Sequence, residues 1–169
     1  MSIAESVLPE FDQEMAATRK LLERVPEADA DWKPHPKSMS MGQLAAHLAN
    51  LLTWGVMTMD RTVFDMNPPG GPPWTSPTFG NRAANLQTFD QNVIACRAAL
   101  AGASDADYMV PWSLANKGQV LMTMPRVVCI RSFVLNHLIH HRGQMGVYLR
   151  LRDVPVPSVY GPSADEGQM

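Results

Sequence analysis

Three of the five histidines in this 169-residue chain fall in the stretch NHLIHHRGQMG, residues 136–146: His137, His140 and His141. Residues four apart on a helix share a face one turn up, so His137 and His141 can bring two imidazoles to one divalent ion. The spacing alone is a weak motif, and its surroundings sharpen it. With His137 as the centre of a helical wheel, Ile130, Phe133, His141, Gln144 and Tyr148 lie within about 40°. That stripe is otherwise largely apolar and aromatic, so the pair points inward, where its ring nitrogens need partners. His140, about 60° off centre, flanks the site.

A third ligand has to come from another element. His47, in SMSMGQLAAHLANLLTWG, shares a face with Gln43, Leu44, Leu51, Trp54 and Thr58. If its helix runs antiparallel to the histidine-rich one, the start of the first meets the end of the second. His47 then lies about 10 Å in from its helix start, and His141 about 16 Å from the other helix's end. His35, between Pro34 and Pro36, reads as a solvated turn residue. Three neutral imidazoles suit a divalent metal ion, zinc or nickel first, with iron, cobalt or manganese also compatible. They leave one coordination position open to water or substrate, which is the chemical case for catalysis. Trp54, Gln144, Tyr148 and His140 are the expected pocket lining. Trp74 in the Pro-rich loop, or the segment around Trp112, is the expected cover. No general base is identifiable, and no Ser–His–Asp pattern, phosphate-cradling loop or carboxylate pair supplies a rival chemistry.

Four helices are expected to position these residues. The first carries Ala4, Leu8, Phe11, Met15, Thr18, Leu22 and Val25 at alternating steps of 4 and 3, begins or kinks at Pro9, and stops before Pro26. The second starts in a capping box of Ser40 and Gln43 and runs without proline from Met41 to about Met66. The third spans about Arg82 to Ala103, and the fourth begins near Pro125, a favourable first-turn position, and continues to about Arg152. Between the second and third lies NPPGGPPWTSPTFG, too rich in proline and glycine for regular structure. Its fourteen residues reach roughly 45 Å when extended, against about 39 Å for the second helix. The loop can therefore return along the bundle and set those two helices parallel. YMVPWSLANKGQVLMTM, before the last helix, reads as a short hairpin or lid. The expected fold class is all-α: a four-helix bundle with a long crossover between helices 2 and 3. It forms one domain over 1–169, with an irregular tail from about 153 anchored by Val159 and Tyr160.

Composition narrows the function classes. Hydrophobic residues make up 46%, charged residues 18%, and the net charge is -2. This is the profile of a compact soluble protein, and it lacks the basic balance of a nucleic-acid binder. No signal peptide or 18-residue apolar span is visible, so no membrane partner is expected and the location is read as cytoplasmic. Cys96 and Cys129 sit in separate apolar stretches and read as buried thiols. The methionines, among them Met57, Met59, Met66, Met109, Met122 and Met124, lack a metal-binding spacing and read as adaptable packing. Val128, Leu135 and Ile139 oppose the histidine face of the fourth helix. Ala45, Ala49, Leu52 and Val56 oppose His47 on the second. Apolar residues on both sides of a helix call for further cover, and a homodimer is the expected source.

On these residues the sequence resembles the DinB/YfiT-like superfamily of metal-dependent four-helix-bundle proteins. SMSMGQLAAHLANLLTWG, NHLIHHRGQMGVYLRLRDVPVP and YGPSADE carry the resemblance, in the right order and across most of the chain, with the histidine triad and HHRGQ its specific part. The resemblance implies a three-histidine metal site on His47, His137 and His141, often in homodimers. It also implies, for some relatives, thiol-dependent transfer or isomerisation. The expected function is a divalent-metal-dependent enzyme that uses thiol-dependent transfer or hydrolysis on a small electrophile, with a small-molecule thiol as a candidate partner. The alternative is a non-catalytic, metal-stabilised dimeric stress-related or binding protein.

Overall fold

A computed structural model describes residues 1–167. Helix α1 (Ile3–Leu22) starts earlier than Pro9 because Ser2 and Glu5 form a capping box: Ser2 Oγ accepts the Glu5 N–H and the Glu5 carboxylate accepts the Ser2 N–H. Pro9 lies inside the helix on an exposed position, where the missing N–H does not leave a buried gap. The expected second helix is two: α2 (Met41–Asn50) and α3 (Leu52–Asp60), separated at Leu51. The Ser40–Gln43 capping box is present at the start of α2. Absence of proline permitted a longer run, but the chain after Asp60 turns instead into strand β1 (Val63–Asp65).

Helix α4 (Arg82–Ala101), capped by Asn81, packs on α1, α2 and α3. Its Asn85 and Asn92 amides donate to the Ala45 and Ala49 carbonyls at 3.3 and 2.9 Å, and Gly55 faces Cys96. These contacts advance in the same sense along both elements. Arg19 pairs with Asp90 and Arg97 with Asp12, both at 2.8 Å, so α1 runs the opposite way to α4.

A short helix, α5 (Asp105–Met109), leads into strands β2 (Pro111–Asn116) and β3 (Gln119–Pro125). These form the expected hairpin. Lys117 and Gly118 adopt φ of 53° and 76°, the pair of positive values that a tight two-residue turn needs. Asp65 then accepts both turn N–H groups, and β1 lies parallel to β2 to complete a three-stranded sheet, β1-β2-β3. The fold is therefore mostly helical, with four main helical elements and a small sheet, and the all-α expectation is corrected on that point. Three residues pairing in parallel across nearly fifty positions of chain leave no local pattern to read.

The last helical run consists of α6 (Arg126–Cys129), a π-helical segment over Ile130–Asn136, and α7 (His137–Leu151). Inside the bundle the core is built from residues such as Phe11, Leu44, Leu48, Phe89, Leu100 and Leu138. A smaller cluster of Trp112, Leu114 and Cys129 ties the sheet to the last helix, with Trp54, Phe64 and Phe133 against it. Trp112 is 1% exposed and belongs to that core, so it does not act as a cover. Both cysteines are free and buried.

Leu135, Ala45, Ala49 and Leu52, expected to need a partner, are buried within the chain itself, whereas Val128 remains 45% exposed. The apolar back of α2 is covered by α4 and does not call for a second copy. Among the described residues no helix is long and apolar enough to cross a membrane.

The C-terminal segment is irregular, and Tyr160 does anchor it. Its hydroxyl donates to the Glu14 carboxylate at 2.9 Å and accepts from Arg142 at 2.6 Å, while Arg142 and Glu14 pair at 2.5 Å. Glu14 and Arg142 are 4% and 3% exposed, a buried ion pair joining α1, α7 and the tail.

A methyl group at Gly55 would overlap Cys96 Sγ. Overpacking of this kind costs about 1–3 kcal/mol. Gly55→Ala should lower stability in urea denaturation, and the penalty should largely vanish in a Cys96→Ala background.

Candidate metal centre

The site is built where α2 and α7 pack antiparallel: Tyr148 of α7 donates to the Met39 carbonyl just before α2, and His137 and His141 stand level with His47. His137 is the first residue of α7, so its position follows from the π turn before it. A π turn closes i→i+5 hydrogen bonds, so a wheel drawn at the α-helical angle misplaces everything upstream of His137. Ile130 accordingly enters the main core and Phe133 the cluster under the sheet.

The three imidazoles converge. His47 Nε2 lies 3.4 Å from His137 Nε2, which lies 2.8 Å from His141 Nε2, and one nitrogen from each ring falls within 4.8 Å of the others. Two nitrogens sharing a tetrahedral ion at ordinary zinc–nitrogen lengths stand about 3.3 Å apart. The first contact matches that figure and the second is tighter.

Proton positions decide what such a cluster wants. His141 Nδ1 lies 2.7 Å from Gln144 Oε1, an acceptor, so Nδ1 carries the hydrogen and Nε2 presents a lone pair. The His137 ring meets the Phe133 backbone, which favours its charged form against the burial that lowers its pKa. The His141 lone pair faces His137 Nε2 at 2.8 Å, with His47 Nε2 3.4 Å from the same atom, so three ring nitrogens crowd one space. A cation between them relieves that crowding, and a donor set of three neutral imidazoles, one backed by an outer acceptor, is chemically suited to one.

Burial keeps the rings neutral. His47 is pushed down from 6.5 to about 4, first by burial and then by the charges that His141 and His137 would carry. His137 is lowered by the same causes, burial first and then His141. His141 is lowered by burial, against the opposing pull of Gln144.

A cavity of about 510 Å³ adjoins His47. Its walls come from the start of α2 (Met39, Ser40, Gln43), from Asp31, and from the loop residues Thr78 and Phe79. No lysine or arginine lines it among the described residues. Gly42 lets the walls meet: a Cβ there would come within 3.0 Å of the Ala30 carbonyl oxygen and 3.2 Å of Phe79 Cβ.

The expected pocket residues distribute differently. Gln144 stands behind His141 as its hydrogen-bond partner. Tyr148 is buried with its ring edge on Trp32. Trp54 stacks edgewise with Phe64 and, at 6.2 Å, with Trp74, which is 40% exposed. His140 is exposed with its ring 4.9 Å from that of His141. None of these four lines the cavity beside His47. His35 is exposed in a turn. Gln43, one turn before His47 and expected on its face, lines the cavity. Asp31, Thr78 and Phe79 lie in irregular segments with no periodicity to place them.

These features define a class: a mostly helical bundle with a small sheet and a three-histidine cluster able to hold a metal ion. The family model described as DinB superfamily matches residues 10–145, and the chain belongs to that superfamily. Among solved structures, it is similar to a DinB-like protein from Bacillus cereus ATCC 10987, with a TM-score of 0.70 and 21% identity over 94% of this chain and 98% of the other. It is also similar to a DinB-like protein from Bacillus subtilis, with a TM-score of 0.67 and 15% identity over 96% and 99% of the two chains. At these identities the likeness is one of fold. No curated protein matches the chain.

Below pH 6.5 an unfolded His47 takes up a proton that the folded ring refuses until about pH 4. Stability of the metal-free protein attributable to this group is therefore full above 6.5 and declines between 6.5 and 4. In thermal melts of metal-free protein, His47→Asn should lose less midpoint temperature than wild type over that window.

Proposed function

We propose that the chain is a divalent-metal-dependent enzyme in which His47, His137 and His141 hold the ion and leave a coordination position open. Its reaction is thiol-dependent transfer to, or hydrolysis of, a small electrophile. The observation that carries this reading is the convergence of three Nε2 atoms, with the His141 Nδ1 hydrogen committed to Gln144 as an outer acceptor. A divalent ion held there supplies Lewis acidity, lowering the pKa of water or a thiol at the open position.

The chain's own residues do the rest. Gln144 holds the His141 ring in one tautomer and direction. The segment before α4 contributes Thr78 and Phe79 to the wall of the cavity beside His47. The hydroxyls of Ser40, Ser76 and Thr78 and the Asp31 carboxylate offer that cavity hydrogen-bonding groups, and Met39 and Phe79 an apolar surface. Ligands and cavity come from a single chain.

Gently purified protein should contain close to one divalent metal ion per chain, and His141→Ala should lose it. Absence of metal from both, even after incubation with zinc or nickel, would reduce the triad to a polar core cluster. Gln144→Leu should weaken metal affinity by about 10–100-fold. After cobalt substitution, a low-molecular-weight thiol or azide should change the visible spectrum. A cobalt site that ignores both would favour a metal-stabilised binding protein over an enzyme.

A further inference from the structure

A second site lies at the other end of the last helical run. Arg126, its first residue, is 8% exposed and faces a cleft of about 350 Å³ between α3, the end of α4 and α5. It precedes His137 by eleven residues, roughly 16 Å at the α-helical rise. A guanidinium has five N–H donors. Among the described residues those of Arg126 reach one acceptor, the Arg61 carbonyl, at a long 3.4 Å from Nη2. The buried Nε–H has no partner.

Arg126 takes part in none of the ion pairs among the described residues. Two carboxylates stand on the rim of the cleft, and each is engaged elsewhere. Asp60 pairs with Arg61 at 3.2 Å, and Asp107 Oδ2 accepts from the Ser104 N–H and hydroxyl at 2.9 and 2.6 Å. The buried cation feels Asp107 only through space and has no carboxylate at ion-pair distance, a costly arrangement unless something supplies one.

The missing group has a definable chemistry. The planar fork of an arginine matches a carboxylate through two parallel N–H···O bonds. The remaining walls, Val56, Met59, Ala99 and Ala103, are apolar and suit a short aliphatic chain. A doubly charged anion such as phosphate would meet the field of Asp60 and Asp107, whereas a single charge balances the arginine with less repulsion. We propose that this cleft binds a small monocarboxylate, its carboxylate on Arg126 and its aliphatic part against Met59 and Ala103, at a site separate from the histidines.

The test is a titration of the full chain with sodium isobutyrate, at ionic strength held constant with sodium chloride. It is followed through the backbone amide resonances of Gly102, Ala103 and Asp107 and the side-chain Nε–H of Arg126. Saturable shifts confined to these positions are expected. Arg126→Lys, which keeps the charge and loses the fork, should weaken binding roughly tenfold or more. Shifts no larger than chloride alone produces, or undiminished binding by Arg126→Lys, would overturn the site. Tighter binding of sodium phosphate than of isobutyrate at the same positions would overturn the monocarboxylate assignment. The wild-type resonances decide the matter even if the variant misfolds.

Discussion

The buried pair of Glu14 and Arg142 fixes the rotation of α7, and the candidate metal centre depends on that rotation. Arg142 follows His141 directly, so the two side chains leave the helix about 100° apart. Once Arg142 is committed to Glu14 of α1 and to the Tyr160 hydroxyl, His141 is turned toward α2. Removing one partner of such a pair leaves a buried charge uncompensated, an outcome costing several kcal/mol, about 3–5 in measured cases. The pair therefore disfavours any other rotation of α7 more than it stabilises this one. Tyr160 adds the tail to the same lock, which explains why an irregular segment follows one course along the bundle.

A second constraint acts along the helix. The π segment over Ile130–Asn136 lets the upstream half send Ile130 into the main core and Phe133 under the sheet, while His137 still faces His47. A continuous α-helix would tie those directions to one fixed angle per residue. Local departures from α geometry are common at functional sites for this reason. Here the cost of the wider turn is offset by core packing on both sides of it.

The two ends of the last helical run differ in kind. At the histidine end, neutral rings crowd a space suited to a cation, and among the described residues no lysine or arginine lines the adjoining cavity. At the Arg126 end, a buried cation faces a largely apolar cleft whose acids are engaged elsewhere. Opposite charge demands are thus separated by several helical turns, and binding at one end need not disturb the charge balance at the other.

Much of the site was legible in residue spacing. His137 and His141 share a face because four residues make about one turn, and His47 follows from a helix start that Ser40 and Gln43 mark chemically. The same local rules gave the extents of α4 and the last helical run to within a few residues, and the Lys117–Gly118 hairpin. The break at Leu51, strand β1, the π turn and the cavity walls were not legible. Each results from contacts between residues far apart in the chain, which periodicity does not encode. By itself the sequence determined which side chains share a helical face, where helices can be capped, and that three imidazoles were available at compatible levels. Only the tertiary structure decided how the π turn re-aims the residues before His137, and that Gln144 stands behind the site while Asp31 and Phe79 line its cavity. Those choices depend on packing and hydrogen bonds to groups brought near by folding, and a residue's type and spacing do not fix its neighbours across the bundle.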